Sequence, residues 1–218
     1  MTTTESSSKP NVHPSLLEFK LDQNFSGSYF EKRGLSKETF CTFNLGHVAE
    51  APGTVPKSVL GAPAFPLYDI GGEFAGWIFR PDHEDYKYFY YSARVHDHVF
   101  ALPFAAQAIM EKDEVVIVEG PFDALMAHSK GLKNTVSVLG GCISVQQILL
   151  LASYTKNFVM ALDSDAAGIL GAKKSEELIR KVMPDVNVRV LPLFPYKDFC
   201  DYVAAEHTSH EHEEENED

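Results

Sequence analysis

From Asp113 onward the apolar positions fall into short runs separated by longer amphipathic stretches. VVIVEG reads as a buried strand and FDALMAHSKG as a helix that stops at Gly131, its C′ residue. TVSVLG is a second strand, and SVQQILLLASY a second helix capped by Ser144. FVMALDSD, AAGILGAKKSEELIRKVM and VNVRVLPL supply a third strand, a third helix and a fourth strand. Alternation of this kind predicts a parallel sheet with crossover helices.

The pattern upstream differs. AFPLYDI, a Gly-Gly turn and FAGWIFR form a hairpin, with aromatic and aliphatic residues alternating around Asp69–Glu73. KYFYYSA and HVFAL are further short β-like runs, and Ala105–Met110 is helical. SLLEFKLDQNFSGSYFEKRGLSKETFCTFNLGHV carries two helical signals, and Ser36 caps the helix that starts at Lys37. Ala51–Pro66, rich in Pro and Gly, is loop or irregular strand. The fold class is α/β, a parallel sheet flanked by helices, preceded by a small mixed α+β lobe. The expected limits are a disordered tail over 1–13, the mixed lobe over 14–112, the parallel-sheet domain over 113–203, and an acidic disordered tail over 204–218.

Composition adds exclusions. A hydrophobic content of 44% with 23% charged residues is that of an ordinary globular chain of 218 residues. No apolar run reaches the length of a membrane span, and MTTTESSSKP lacks the layout of a signal peptide, so the expected location is cytoplasmic. Cys41, Cys142 and Cys200 are scattered, without zinc-ligand spacing. The net charge of −12 opposes a broad nucleic-acid surface. Its seven carboxylates after Ala205 leave −5 for the rest, and 14–112 holds nine basic and twelve acidic residues. A grip on phosphate must therefore come from a few placed cations.

Sites in open α/β sheets lie at the carboxyl ends of the strands. Glu119 ends the first parallel strand, Asp163 and Asp165 end the third, and Asp198 follows the fourth. Asp123 lies one helical turn past Glu119. Five carboxylates thus meet at one sheet edge. A lone acid at a strand end is ordinarily a cap or a solvated turn residue, but five repelling charges in apolar strand contexts require a cation. Hard oxygen donors suit Mg²⁺, or Mn²⁺, and such a site can clamp a triphosphate for in-line phosphoryl transfer.

VIVEGPFDAL followed by ALDSDAAG resembles the paired signatures of Toprim domains. VSVLGGCIS between them and LPLFPYKDFCDYV after them resemble the forms found in bacterial-type, DnaG-like DNA primases. RGLSKETFCTFNLGHV, AFPLYDIGGEFAGWIFR and KYFYYSARVHDHVFAL resemble upstream segments of the same enzymes, so the resemblance spans about Gly34 to Tyr202. It implies that Glu119 is a general acid/base or metal-organising residue and that Asp163 and Asp165 ligate metal. Asp123 and Asp198 would support the metals and the incoming nucleotide, and Arg80 and Lys87 would contact template or nucleotide phosphate. The implied activity is a metal-dependent nucleotidyltransferase that joins ribonucleoside triphosphates on single-stranded DNA.

The sequence departs from that pattern in four ways. No zinc module precedes the core and no helicase domain follows Tyr202, so a separate replicative helicase or zinc-binding primase partner is expected, in a nucleoid or phage-infected cell. Cys200 replaces a second Asp, and Tyr90 replaces an Asn. Two other readings remain open: a Toprim nuclease using the same metals, and a non-catalytic protein that binds nucleic acid or a replication partner. The aromatic run Tyr86 and Tyr88–Tyr91 divides between core and surface, Trp77 is core, and His207, His210 and His212 belong to a solvated tail.

Overall fold

A computed structural model of the chain describes residues 19–82, 87–92 and 94–205. The expected tail at 1–13 lies outside the described residues, as does the expected tail at 204–218 from 206 onward; residues 204 and 205 end a helix. The first lobe is a five-stranded antiparallel sheet in sequential order: β1 (Lys20–Asp22), β2 (Gly46–Glu50), β3 (Pro63–Tyr68), β4 (Phe74–Phe79) and β5 (Phe89–Tyr91). The β3–β4 hairpin pairs Ala64 with Phe79 and Tyr68 with Phe74. Asp69 closes its turn, its Oδ1 accepting from Gly71 N (2.8 Å) and Glu73 N (2.9 Å). Two short helices, α1 (Tyr29–Lys32) and α2 (Lys37–Thr42), sit between β1 and β2. Ser36 caps α2 by accepting from Thr39 N at 3.2 Å.

The second sheet is parallel and four-stranded, in the order β7 (Thr135–Ser137), β6 (Val115–Val118), β8 (Asn157–Ala161), β9 (Asn187–Val190). Its connecting helices are α4 (Pro121–Ser129), α5 (Val145–Ala152) and α6 (Ala166–Val182), and a last helix, α7, occupies 199–205. Gly131 adopts φ 84° just beyond α4, the left-handed turn that a glycine accepts without strain. Ser144 and Gln147 form a reciprocal capping box on α5.

Two expectations are corrected. Residues 98–102 are not a strand: Phe100 makes one antiparallel bridge to Ser137, and Ala101 at φ 70° turns the chain into a helix. That helix, α3, runs Leu102–Lys112, longer than Ala105–Met110, and packs Leu102, Ala105 and Ile109 on the parallel sheet.

The parallel strands divide by parity, as a pleated sheet buried on both faces must. Val115, Ile117, Phe158 and Met160 join α3, α5 and α6 in one core. Val118 and Ala161 turn to the other face, where Phe122 and Leu125 of α4 and Phe199 and Val203 of α7 cover them. That second core is continuous with the first lobe, taking in Phe30, Leu35, Phe43, Phe65, Leu67 and Ile78. Fully buried rings such as Phe30 and Phe65 each contribute on the order of 2–3 kcal/mol. The lobes are therefore held together by apolar burial. Trp77 lies with Phe19 and Phe79 in a third cluster on the far face of the antiparallel sheet. Among the described residues no helix is long and apolar enough to cross a membrane.

Candidate metal and phosphate site

Strand order fixes where the site lies. From β6 the chain crosses to β7 on one side, and from β8 it crosses to β9 on the other, so a crevice opens above the β6–β8 pair. Glu119 is one residue beyond Val118, and Asp163 two beyond Ala161, its paired neighbour. Both are half-buried at this switch point.

Asp123 occupies the first turn of α4, and its Oδ2 accepts from Gly120 N at 3.1 Å. A Cβ on Gly120 would stand 2.7 Å from that oxygen, so the carboxylate would have to move to admit any larger residue here. Asp165 is exposed and caps α6, its Oδ1 accepting from Gly168 N at 2.8 Å. Asp198 caps α7 in the same way, accepting from Asp201 N at 3.0 Å. Each capping carboxylate retains a second oxygen.

The loops that carry these groups are set close by two glycines of α6. A Cβ on Gly168 would strike the Asp163 carbonyl, and one on Gly171 would strike the carbonyl of Gly141. Gly141 in turn lies beside Glu119, with 3.9 Å between its added Cβ and Glu119 Oε2. Ser137 Oγ donates to the Glu119 carbonyl at 2.7 Å and accepts from Leu139 N at 3.0 Å. Tyr90 Oη donates to the Leu139 carbonyl at 3.3 Å, tying β5 to the same loop.

The electrostatics are those of crowded acids. Burial first, then Asp163, raises the Glu119 pKa, and Lys87 opposes the shift. Burial likewise raises that of Asp163, with Lys87 again opposing and Asp198 and Asp165 adding to it. The Asp123 carboxyl is the most enclosed, and burial with repulsion from Asp198 and Asp163 pushes it up to about 7. The Cys200 thiol is pushed up to about 12 by burial and by Asp123, so it stays neutral beside them.

Lys87 is near enough to favour the ionised form of Glu119, Asp123 and Asp163. Arg80 lies on the side toward the first lobe, donating from Nη1 to Tyr88 Oη at 3.1 Å. Both cations line a cavity of about 1070 Å³ together with Lys32 and His47. Glu84 and Tyr86 lie outside the described residues.

The oxygen donors suit a hard divalent cation in type. Among the described residues, however, no three His, Cys, Asp or Glu side chains stand close enough to cage an ion unaided. An ion here would draw its remaining ligands from water and phosphate, which is the habit of Mg²⁺.

The sequence pattern gave Tyr88 and Tyr90 no site role and did not mark Ser137 or the α6 glycines. Tyr90 lies in β5 and Tyr88 just before it, two residues apart, and both pack against the same core, a spacing visible in the sequence. Nothing local marks Ser137 or Gly171, whose partners are loops distant in sequence.

The Toprim-like family matches residues 116–203. The DNA primase of Synechocystis sp. is 34% identical over 120 residues, covering 53% of this chain and 18% of that protein. The DNA primase of Clostridium acetobutylicum is 24% identical over 206 residues, covering 79% of this chain and 34% of that protein. The chain thus spans about a third or less of the length of these relatives. Among solved structures, the zinc-binding and RNA polymerase domains of the Aquifex aeolicus primase superpose with a TM-score of 0.71 at 24% identity, over 84% of this chain and 53% of that one. A DnaG catalytic core superposes with a TM-score of 0.69 at 23% identity, over 86% and 71% of the two chains. A DnaG primase catalytic domain bound to single-stranded DNA does so at 0.66 and 22% identity, over 82% and 68%. Residues 116–203 therefore match a Toprim-like domain, and the chain has the fold of these primase catalytic cores.

Proposed function

We propose that the chain is a primase-type nucleotidyltransferase that joins ribonucleotides on a single-stranded DNA template with Mg²⁺, or Mn²⁺, at the carboxylate site. The observation that carries this reading is the meeting of Glu119 and Asp163 above the β6–β8 pair, with Lys87 close enough to favour the ionised form of both. Asp163 and Asp165 would hold the metal, with Asp123 and Asp198 supporting it. When bound, the metal would neutralise phosphate charge and polarise the phosphoryl oxygens. Glu119, whose affinity for a proton is raised, would accept the proton of an attacking 3′-hydroxyl. The new bond joins that oxygen to the α-phosphorus, and pyrophosphate leaves with the electrons of the broken bond. Lys87 and Arg80 supply positive charge to phosphates entering from the cavity they line. Template choice and strand opening fall to a separate helicase or zinc-binding partner in this reading, as they would in a nucleoid or a phage-infected cell.

The test is primer synthesis by the purified chain on single-stranded DNA, with labelled ribonucleoside triphosphates and Mg²⁺ or Mn²⁺. Short labelled products are expected, and they should disappear in the Glu119→Gln/Asp163→Asn double variant. Shortening of the template without synthesis would replace this reading with a nuclease. Binding of DNA with neither reaction would replace it with a non-catalytic partner protein.

A further inference from the structure

On the far side of Asp163 the surface is apolar where a solvated loop would ordinarily be polar. Ile169 (62% exposed), Val190 (43%) and Phe194 (86%) line one groove of about 410 Å³, with Leu191 as part of its wall. The groove runs along α6 from Asp163 toward Lys173 and Glu176, which also line it. Its volume is within the roughly 300–1,000 Å³ of pockets that accept small molecules.

The loop bearing Phe194 is tied to the residue next to Asp163. Ser164 Oγ shares its proton between the carbonyls of Tyr196 (2.7 Å) and Lys197 (3.0 Å), and Ser164 N donates to the Lys197 carbonyl at 2.8 Å. The Phe194 ring is thus almost fully in water, yet its loop is registered to the carboxylate site. Exposing that much apolar area is unfavourable relative to burying it, and the parity of β9 does not demand it, because Phe194 lies beyond the strand.

We infer that this groove receives the base of a nucleotide whose phosphates lie at the carboxylate site, with the ring of Phe194 as its stacking face. The inference rests on the metal-and-triphosphate reading above. A base fits the chemistry better than a phosphate does: the walls are apolar, while Lys173 and Glu176 offer a donor and an acceptor to a base edge. Asp163 belongs both to this groove and to the acidic cluster, so one ligand can reach both.

The experiment is calorimetric titration of the full chain with ATP and, separately, with inorganic tripolyphosphate, both with Mg²⁺. Stacking on an aromatic ring predicts that ATP binds at least about 5-fold more tightly than tripolyphosphate. Phe194→Ala should abolish that preference and leave tripolyphosphate affinity unchanged, whereas Phe194→Trp should retain it. Equal affinities in the wild type, or a preference that survives Phe194→Ala, would overturn the inference. So would a fall in sedimentation mass on Phe194→Ala with the preference intact, since a second copy of the chain would then be what covers the ring. Primer synthesis without any preference for ATP would remove the base site and leave the proposed function. A preference lost in Phe194→Ala, without primer synthesis, would do the reverse. Failure of both ligands to bind would overturn both.

Discussion

Replacing Asp123 by Asn should stabilise the metal-free protein in alkaline solution and do almost nothing in acid. The carboxyl is held at about 7 against an ordinary value of 3.8, chiefly by burial and then by Asp198 and Asp163. Below 3.8 both folded and unfolded chains keep the proton, so this group has no effect on stability. Above 3.8 the unfolded chain releases it more readily, and stability falls as pH rises until the folded group also ionises near 7. The full cost, present above pH 7, is on the order of 4 kcal/mol, from about 1.36 kcal/mol per pH unit. Asparagine escapes that cost. Its amide oxygen can still accept from Gly120 N, and its NH₂ would face the Asp198 and Asp163 carboxylates. At about 2–4 °C per kcal/mol for a chain of this size, the variant in chelator at pH 8 should melt roughly 8–16 °C above the wild type. At pH 4 the two should nearly coincide. Adding Mg²⁺ at pH 8 should narrow the gap, because a cation that binds only the folded wild type offsets the repulsion. A variant no more stable than the wild type at pH 8, or one equally stabilised at both pH values, would refute the reasoning.

His128 provides a pH effect of opposite sign. It is buried, its Nε2 is 2.9 Å from the Thr135 carbonyl, and burial lowers its pKa to about 4. The folded protein keeps it neutral while the unfolded chain protonates below about 6.5, so stability is lost as pH falls from 6.5 toward 4, by about 3 kcal/mol in all. Melting curves at pH 7.5 and 4.5 should show His128→Gln losing about 2–3 kcal/mol less than the wild type between them; parallel losses would count against the assignment. Gly171→Ala sets helix propensity, worth about 1 kcal/mol in favour of alanine, against a collision with the Gly141 carbonyl. Overpacking against backbone costs about 1–3 kcal/mol or more, so a lower melting temperature and weaker primer synthesis are expected; a rise in melting temperature would show that α6 and the Gly141 loop are not in contact.

The acidic balance of the chain is compatible with a phosphate site because the cations are few and placed. Lys87 lies near the carboxylates and Arg80 lines the adjoining cavity, so positive charge is placed beside the acidic site although the chain's net charge is −12. Apolar burial shared by both lobes, with Tyr88 and Tyr90 packed against it, holds the segment next to Lys87 against the parallel-sheet domain.

The sequence determined what neighbours along the chain decide. Ser36, Ser144 and Gly131 act within one helical turn, so caps and stops were legible before any fold was known. The strand–helix alternation after Asp113 and the strand-end positions of Glu119 and Asp163 were legible for the same reason. The three-residue β1 and the five-residue β2 were not: they are too short to show a period, and each exists because it pairs with a segment distant in sequence. The assignment of α3 to the parallel sheet, the approach of Gly171 to Gly141, the turn of Tyr90 toward Leu139 and the exposure of Phe194 were likewise settled only by tertiary structure. Periodicity fixes which face of an element is apolar, but strand order and core packing choose what that face, or a side chain at its edge, will meet.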